Sequence, residues 1–460
     1  MTHARLAVLV TTGALLLPAT ASAQVHAADV GVACDPGDLI AKVAAANTGG
    51  DPVLSLASYC VYEFGVGDAN GDAIPQITLP AGITIHGNNA TLLRSTTAAT
   101  DFRLLEVAVG GQLTADNLTV MNGRASGNGG GGVRVTGAGS TLTTTDVSFL
   151  GNAAGEGAGG AVLGETDTIT SLTGGSVRDN RAQIGGGVDS ETGAVGSTTL
   201  TSVTVSGNRA TAVGGGVATL NGGNINISGS TISNNTSHFA AGGILATGGV
   251  GNLMIDGGSV ISGNSVSNFG GGGLSVTLPA SITDSTISGN LVNGVNAPGA
   301  IPRGGGIASA SPSLTLDNTK ITGNRMVNVS SLGGGLAVVG GTANVTNGSQ
   351  ITGNVAAGAN SLGGGLYSDT AMGPSTVNVN GSLIDRNTVS GTGSVAGGIY
   401  NNGATVSLTN ASVQNNKAPA APAPGGIWTT VVIVPVSTTI AANSPTNCLL
   451  SPAAVTGCAN

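Results

Sequence analysis

Apolar and polar positions repeat along most of the chain in two linked sets. In the first set an apolar residue precedes an Asn by three positions, and successive Asn residues lie 26 to 34 positions apart. The Asn residues are Asn152, Asn180, Asn208, Asn235, Asn264, Asn290, Asn324, Asn354, Asn387 and Asn416. Their apolar partners are Phe149, Val177, Val205, Ile232, Ile261, Ile287, Ile321, Ile351, Ile384 and Val413. Self-similarity of this period indicates a structural unit that recurs along the chain.

The second set of apolar residues follows glycine-rich segments. It comprises Val133, Val162, Val188, Val217, Ile244, Leu274, Ile307, Leu336, Leu366, Ile399 and Ile427. From each of these residues to the next Asn there are 16 to 21 positions, whereas from an Asn to the next member of the set there are 8 to 17. One arc of the repeat is therefore near constant and the other absorbs insertions. This is the pattern of a solenoid whose strands stay in register while one loop varies.

The alternation of Thr with Val, Leu and Ile in the constant arc predicts short strands. The repeat is too rich in β-formers for a helical solenoid and lacks the L-x-x-L-x-L pattern of leucine-rich repeats. We therefore predict an all-β parallel β-helix solenoid of roughly 11–13 coils. In such a stack each Asn amide lies at a bend and bonds the amides one coil above and below, at a spacing of ~4.8 Å.

A further column, six positions before each Asn, is rich in residues that tolerate left-handed backbone angles, and it predicts a corner of the coil. Its members are Asp116 (counted from Asn122), Asp146, Gly174, Ser202, Gly229, Gly258, Asp284, Asn318, Gly348, Gly381 and Asn410.

Both ends of the repeat carry features of caps. Asp35-Pro36 is a helix-start pair, and it predicts a short amphipathic helix over the first coil whose apolar residues are Leu39, Ile40, Val43 and Ala44. The four cysteines lie in two local pairs, so of three possible connectivities the favoured one is Cys34–Cys60 and Cys448–Cys458. The predicted organisation is a signal peptide at 1–23, an N-terminal cap at 24–73, the solenoid at 74–440 and a C-terminal cap at 441–460.

Composition and charge narrow the possible locations and partners. Arg5, an apolar stretch and Ala21-Ser22-Ala23 form a secretory signal, so we expect an exported protein, and no later stretch is apolar enough to span a membrane. The net charge of −8 disfavours a nucleic-acid partner. No cofactor is predicted, and the oligomeric state and the producing organism do not follow from the sequence.

Candidate catalytic groups are sparse. Asp116 and Asp146 share the corner column, where turn formation explains them. The loop from Asp68 to Asp72 resembles the start of a calcium site but has Ala73 and Leu79 where that site needs Gly and Glu. A solvated acidic patch is the expected role of Glu156, Glu165, Asp167, Asp189 and Glu191. The histidines that remain after signal removal, His26, His86 and His238, are isolated in sequence, so no nucleophile–His–acid set can be argued.

One aromatic column is conspicuous. The residue after the glycine-linked apolar position is Tyr367, Tyr400 and Trp428 in the last three coils. Side chains alternate along a strand, so we expect these rings to point outward, either as a platform for sugar rings or as a packing ladder beneath the loop at 418–424. The long loops at 291–303, 326–332 and 355–362 lie in the same half, which favours it as the binding face.

The F-L-G-N at Phe149–Asn152 and the G-G-A-V at Gly159–Val162 resemble the paired repeats of polymorphic outer-membrane proteins. More broadly, the chain from about Ile74 onward is similar to secreted bacterial right-handed β-helix proteins of the pectate-lyase-like superfamily. The resemblance implies a fold and leaves activity open. The expectation is a secreted, non-catalytic structural or adhesion-type protein that binds glycans or a surface. The alternative is a polysaccharide lyase or glycoside hydrolase.

Overall fold

The computed structural model describes residues 29–127, 129–294, 301–327, 330–419 and 423–459. The predicted signal peptide lies outside these residues, as do parts of the predicted loops at 291–303, 326–332 and 418–424. The described chain forms a parallel β-solenoid of about 13 turns, as the repeat predicts, with a single helix.

The strands form three sheets of 26, 12 and 10 strands, here called the long, twelve-stranded and ten-stranded sheets. The long sheet contains Val30–Val32, Val53–Leu56, Val61–Phe64, Ile83–Arg94, Gln112–Met121, Thr141–Thr145, Ser148–Leu150, Ile169–Thr173, Ser176–Arg178, Gly193–Thr201, Thr204–Ser206, Gly223–Ser228, Thr231–Ser233, Gly251–Asp256, Val260–Ser262, Ala280–Thr283, Thr286–Ser288, Ser313–Asp317, Lys320–Thr322, Gly341–Thr346, Gln350–Thr352, Ser375–Asn380, Leu383–Asp385, Thr405–Thr409, Ser412–Gln414 and Thr439–Ala441.

The twelve-stranded sheet has one strand per coil: Leu105–Val107, Val133–Val135, Val162–Gly164, Val188–Ser190, Val217–Thr219, Ile244–Ala246, Leu274–Val276, Ile307–Ser309, Leu336–Val338, Leu366–Asp369, Ile399–Asn402 and Ile427–Thr429. The ten-stranded sheet contains Arg124–Ala125, Ala153–Ala158, Arg181–Ile184, Arg209–Val213, Thr236–Ser237, Ser265–Val266, Leu291–Asn293, Arg325–Val327, Val355–Ala357 and Thr388–Ser390.

The two predicted apolar columns line the core. Residues of the first column pair in register from coil to coil, as Val205 does with Ile232 and Ile232 with Ile261, and all are buried. Residues of the second column, such as Ile244 and Leu274, pair in the same way in the twelve-stranded sheet and are also buried. The core is thus a stack of mainly aliphatic side chains, with a few aromatic rings such as Phe149, and their burial supplies the main driving force for folding.

Two left-handed residues bracket each short strand that carries the first column. The predicted corner column has positive φ from Asp146 to Asn410. The second left-handed position, directly before each ladder Asn, was not predicted. It is mostly Gly, with φ of 64° at Gly151 and 66° at Gly207. These bends turn the chain from one face to the next.

The predicted first member of the corner column is wrong by one residue. Asn117, and not Asp116, has the left-handed backbone, with φ of 46°. The error arises because the column was counted back from Asn122, which is not the ladder residue of its coil. Asn122 is itself left-handed, and Gly123 occupies the ladder position, where its N–H donates to Oδ1 of Asn152.

The Asn side chains form a continuous hydrogen-bonded ladder. Nδ2 of Asn180 donates to Oδ1 of Asn208 at 2.9 Å and to the Phe149 carbonyl at 3.1 Å. Its Oδ1 accepts from the backbone N–H and from Nδ2 of Asn152, at 2.8 and 3.1 Å. All four hydrogen-bonding positions of the buried amide are therefore used. The ladder continues beyond the last predicted rung, from Asn416 to Asn443 and on to Asn447.

Both disulfides have the predicted connectivity, Cys34–Cys60 and Cys448–Cys458. The predicted helix runs from Pro36 to Asn47, and the Asp35 carboxylate caps it by accepting from the Asp38 N–H. Its buried residues are Leu39, Val43 and Ala46, whereas Ile40 and Ala44, which were expected on the apolar face, are exposed. Strands that pair in the long sheet begin at Val30, so stacking starts within the segment at 24–73.

Candidate ligand-binding site

The three aromatic residues of the C-terminal column lie on successive strands of the twelve-stranded sheet. Tyr367 pairs with Tyr400, and Tyr400 with Trp428. Their rings are parallel and stacked, with centroids 5.5 Å apart in the first pair and 4.3 Å apart in the second. Both faces of the middle ring, Tyr400, are therefore covered by other rings. A sugar ring stacks on an aromatic face, so this ladder does not offer three open platforms.

Of the two alternatives for this column, a sugar platform or a packing ladder, Tyr367 fits the second, because it is only 5% exposed. It packs with Leu332, Ala337 and Val339 in a small apolar cluster outside the main core. Its hydroxyl donates to Oδ2 of Asp369 at 2.6 Å, and burial, aided by that carboxylate, raises the pKa of Tyr367 far above its ordinary value. In this coil the residue of the aromatic column therefore belongs to a packed apolar cluster.

The segments that directly precede the glycine-rich stretches of the repeat explain this burial. They return across the outer face of the twelve-stranded sheet and form a row of parallel bridges, among them Arg303 with Leu332 and Leu332 with Leu362. Leu332 and Leu362 thereby cover Tyr367. The sequence contains a signal for this outer layer, the repeated S-L-G-G-G-L that begins at Ser331 and at Ser361. The described parts of the long loops thus shield this face at Tyr367.

Trp428 is different, because it ends the stack and only one of its faces lies against another ring. It is half-buried and lines a cavity of about 810 Å³. The described lining residues are Gly391, Thr392, Gly393, Ser394, Val395, Pro419, Ala423, Pro424, Trp428 and Leu450. No described residue accepts a hydrogen bond from the indole N–H of Trp428. The cavity therefore has an aromatic side chain in its lining and lies within the size range of small-ligand sites, ~300–1,000 Å³.

The N-terminal half contains a set of polar residues that the sequence could not assemble. Ser55 pairs with His86, and His86 with Asp116, in one outward column on three successive coils. Nδ1 of His86 lies 2.7 Å from Oδ2 of Asp116, so the expectation that His86 is isolated is wrong. Ser55 Oγ accepts from Nδ2 of Asn88 at 3.0 Å. The order Ser, His, acid is that of a nucleophile, its base and the group that orients the base, although among the described residues no hydrogen bond joins Ser55 Oγ to His86.

The loop from Asp68 to Asp72 is held by its own backbone. Oδ1 of Asp68 accepts from the N–H groups of Asn70 and Asp72, which is the geometry of a polar turn. The Asp72 side chain is buried 2.9 Å from Nε of Arg103, without the alignment of a hydrogen bond. Burial, opposed by Arg103, raises the pKa of Asp72 to about 7. Within the described ranges no group of three or more His, Cys, Asp or Glu residues is placed to hold a metal ion.

A charged network around Asp72 was also missed. Arg103 Nη1 lies 2.9 Å from Glu106, and Arg134 lies 3.5 Å from Glu106 and 2.7 Å from Glu165. The network ties successive coils together at the N-terminal end. Charge pairs between residues about 30 positions apart leave no local sequence pattern. They can be recognised only when the register of successive coils is known.

The expected solvated acidic patch forms only in part: Glu156 is exposed and Asp167 is half-buried, whereas Asp189 is not solvated. Asp189 is completely buried, and neither carboxylate oxygen has a hydrogen-bond partner among the described residues. Burial, with the nearby Glu191 charge adding to it, raises the pKa of Asp189 well above its ordinary value. Glu165 pairs with Arg134, and Glu191 accepts from the N–H groups of Leu220 and Asn221. These carboxylates are structural.

Comparison with protein-family models, with curated proteins and with solved structures finds no match to this chain. The fold therefore defines the class, a parallel β-solenoid with two terminal disulfides. None of the helices in the described part of the chain is long and apolar enough to cross a membrane.

Proposed function

We propose that this chain is an exported, non-catalytic β-solenoid that binds a glycan in the cavity at Trp428. The observation that carries the proposal is the presence of Trp428, which stacks on another ring with one face only, in the lining of a cavity of about 810 Å³. Sugar rings pack their C–H faces on aromatic rings, and their hydroxyls accept hydrogen bonds from donors such as the indole N–H. Two disulfides agree with an oxidising, extracellular location.

The test is glycan binding by the purified chain on an array of neutral and acidic oligosaccharides. Trp428→Ala should weaken binding at least about tenfold, which corresponds to ~1.4 kcal/mol, whereas Trp428→Phe should retain part of it. Tyr59→Ala, which removes an exposed aromatic ring at the other end of the molecule, serves as the control. Undiminished binding by Trp428→Ala, or no binding to any glycan, would contradict the proposal.

A second candidate function, ester hydrolysis, is favoured by the Ser55–His86–Asp116 column. In that reaction His86 takes the proton of Ser55 as its oxygen attacks an ester carbonyl, and Asp116 holds the imidazole through Nδ1. The attack releases an alcohol, and water then frees the acid from Ser55. Covalent labelling by a fluorophosphonate probe, lost in Ser55→Ala and His86→Gln, would establish this activity. Absence of labelling together with glycan binding supports the non-catalytic function.

The same assays address the lyase or glycoside hydrolase alternative. Incubation of the chain with the glycans that it binds, with and without Ca²⁺, should leave their length unchanged. Sustained release of new chain ends would replace the non-catalytic proposal.

A further inference from the structure

The outward face of the last coil differs from that of the coils before it. Val432, Val434 and Val436 are 58%, 62% and 54% exposed. Val436 bridges to Thr409. Counting back two and four residues from this bridge on both segments aligns Val434 with Ser407 and Val432 with Thr405. In the two preceding coils the column of Val434 holds Ser407 and Asn378. A row that holds only polar residues in the five coils after Met254 thus becomes apolar at its C-terminal end.

This end of the molecule also lacks charge. No Asp, Glu, Lys, Arg or His occurs from Ala418 to Asn460, although the whole chain carries a net charge of −8. The opposite end is capped by the helix Pro36–Asn47, which bears Asp38 and Lys42. Two copies that approach through their C-terminal ends therefore avoid the repulsion that other orientations of two acidic molecules incur.

The C-terminal cap bonds to the last coil at a few backbone positions. Ala453 bonds to Thr429, at the end of the twelve-stranded sheet, and Ala454 bonds to Ile433, whose neighbours Val432 and Val434 keep exposed side chains. The last strand of the long sheet, Thr439–Ala441, pairs with Ser412–Gln414 on one side and with no other described strand. A strand with one unpaired edge presents N–H and C=O groups to a further strand.

We propose that this surface, formed by Val432, Val434, Val436 and the free edge of Thr439–Ala441, joins two copies of the chain end to end. A two-fold axis between the copies places the two edge strands antiparallel, so that they extend the long sheet across the junction and bury the valines beside it. The contact is self-complementary and closes at two copies. It is independent of the glycan cavity, and it would stand if no glycan bound.

The test is sedimentation of the purified, oxidised chain over a range of concentrations. The native chain should reach a dimer and no larger species. Val434→Lys should weaken the dimer at least about tenfold. Met254→Lys is the matched control, because Met254 is also exposed and lies in the same column at mid-rod. Each variant is checked by circular dichroism and by glycan binding, which the dimer variants should retain.

A more conservative variant tests the same surface with less risk of misfolding. Replacing Val432 by Thr, Val434 by Ser and Val436 by Thr gives the last coil the residues of the coil before it and should also weaken the dimer. A monomer at all concentrations, or a monomer that binds neutral lipid vesicles instead, would overturn the proposal. An open series of trimers and longer species would do so too, since it indicates head-to-tail contacts.

Discussion

At the scale of single residues, backbone conformation accounts for much of the composition. Each coil needs left-handed residues at its corners, and Gly, Asn and Asp meet that need at little energetic cost. Ser202, with φ of 56°, is an exception within the corner column and is exposed. A Cβ in the left-handed region is strained, so this position is one where the native residue is not the most stable choice.

We expect Ser202→Gly to raise the free energy of unfolding by about 1 kcal/mol, because relief of left-handed strain exceeds the added entropy of the unfolded chain. Ser202→Val should lower it, since a β-branched residue tolerates positive φ poorly. Urea denaturation measures both changes. Ser206→Gly, in the strand Thr204–Ser206, is the control and should destabilise. A loss of stability in Ser202→Gly would show that the corner is not strained.

At the scale of the strand, the sequence predicts inward side chains better than outward ones. Inward columns repeat one requirement in every coil, so the apolar pattern identifies them directly. Whether an outward side chain is exposed depends on which segment of the chain crosses over it. Asp189 lies in the same column as Tyr367, and the return segment at Gly185 lies against it. The sequence around Asp189 gives no indication of this cover, which is why that carboxylate was expected to be solvated and why packing and ligand binding both remained possible for Tyr367.

Burial of Asp189 predicts a pH effect. The folded chain keeps a proton on Asp189 that the unfolded chain releases above the ordinary pKa of about 4. The contribution of Asp189 to the free energy of unfolding therefore falls as pH rises from about 4 towards neutrality. Asp189→Asn removes this penalty, so the variant should be more stable than the native chain at pH 8, and the difference should shrink towards pH 4. Denaturation midpoints across this range measure it, with the outer-face Asp256→Asn as control. A pH-independent difference would contradict this.

At the scale of the whole molecule, each coil contacts only its neighbours, so damage to an end and damage to the middle have different effects. The caps differ as well: a helix and a charged network at one end, a short disulfide loop at the other. Sequence reasoning predicted the N-terminal helix and both disulfides. It could not reveal how much of the last coil the second cap leaves uncovered, since that depends on which backbone groups the loop reaches.

Two variants separate these effects. Asn208→Ala leaves buried ladder groups unpaired and should lower the free energy of unfolding by at least ~2 kcal/mol. Cys458→Ser should instead cause local fraying, with faster hydrogen exchange confined to about residues 427–459, and should promote aggregation more than Asn208→Ala does. Exchange that rises along the whole rod in Cys458→Ser would mean that the cap controls the entire fold.

The hydrogen-bonded amide ladder also bears on how such a chain changes over generations. Every rung presents the same amide to both neighbours, flanked by an aliphatic residue in the same register. If recombination between repeats deletes or duplicates one coil, the two surfaces that come together already match. The length of the rod can then change in steps of one coil, ~4.8 Å, while its ends are inherited intact. Insertions within the variable arc would alter the outer surface and leave the ladder unchanged.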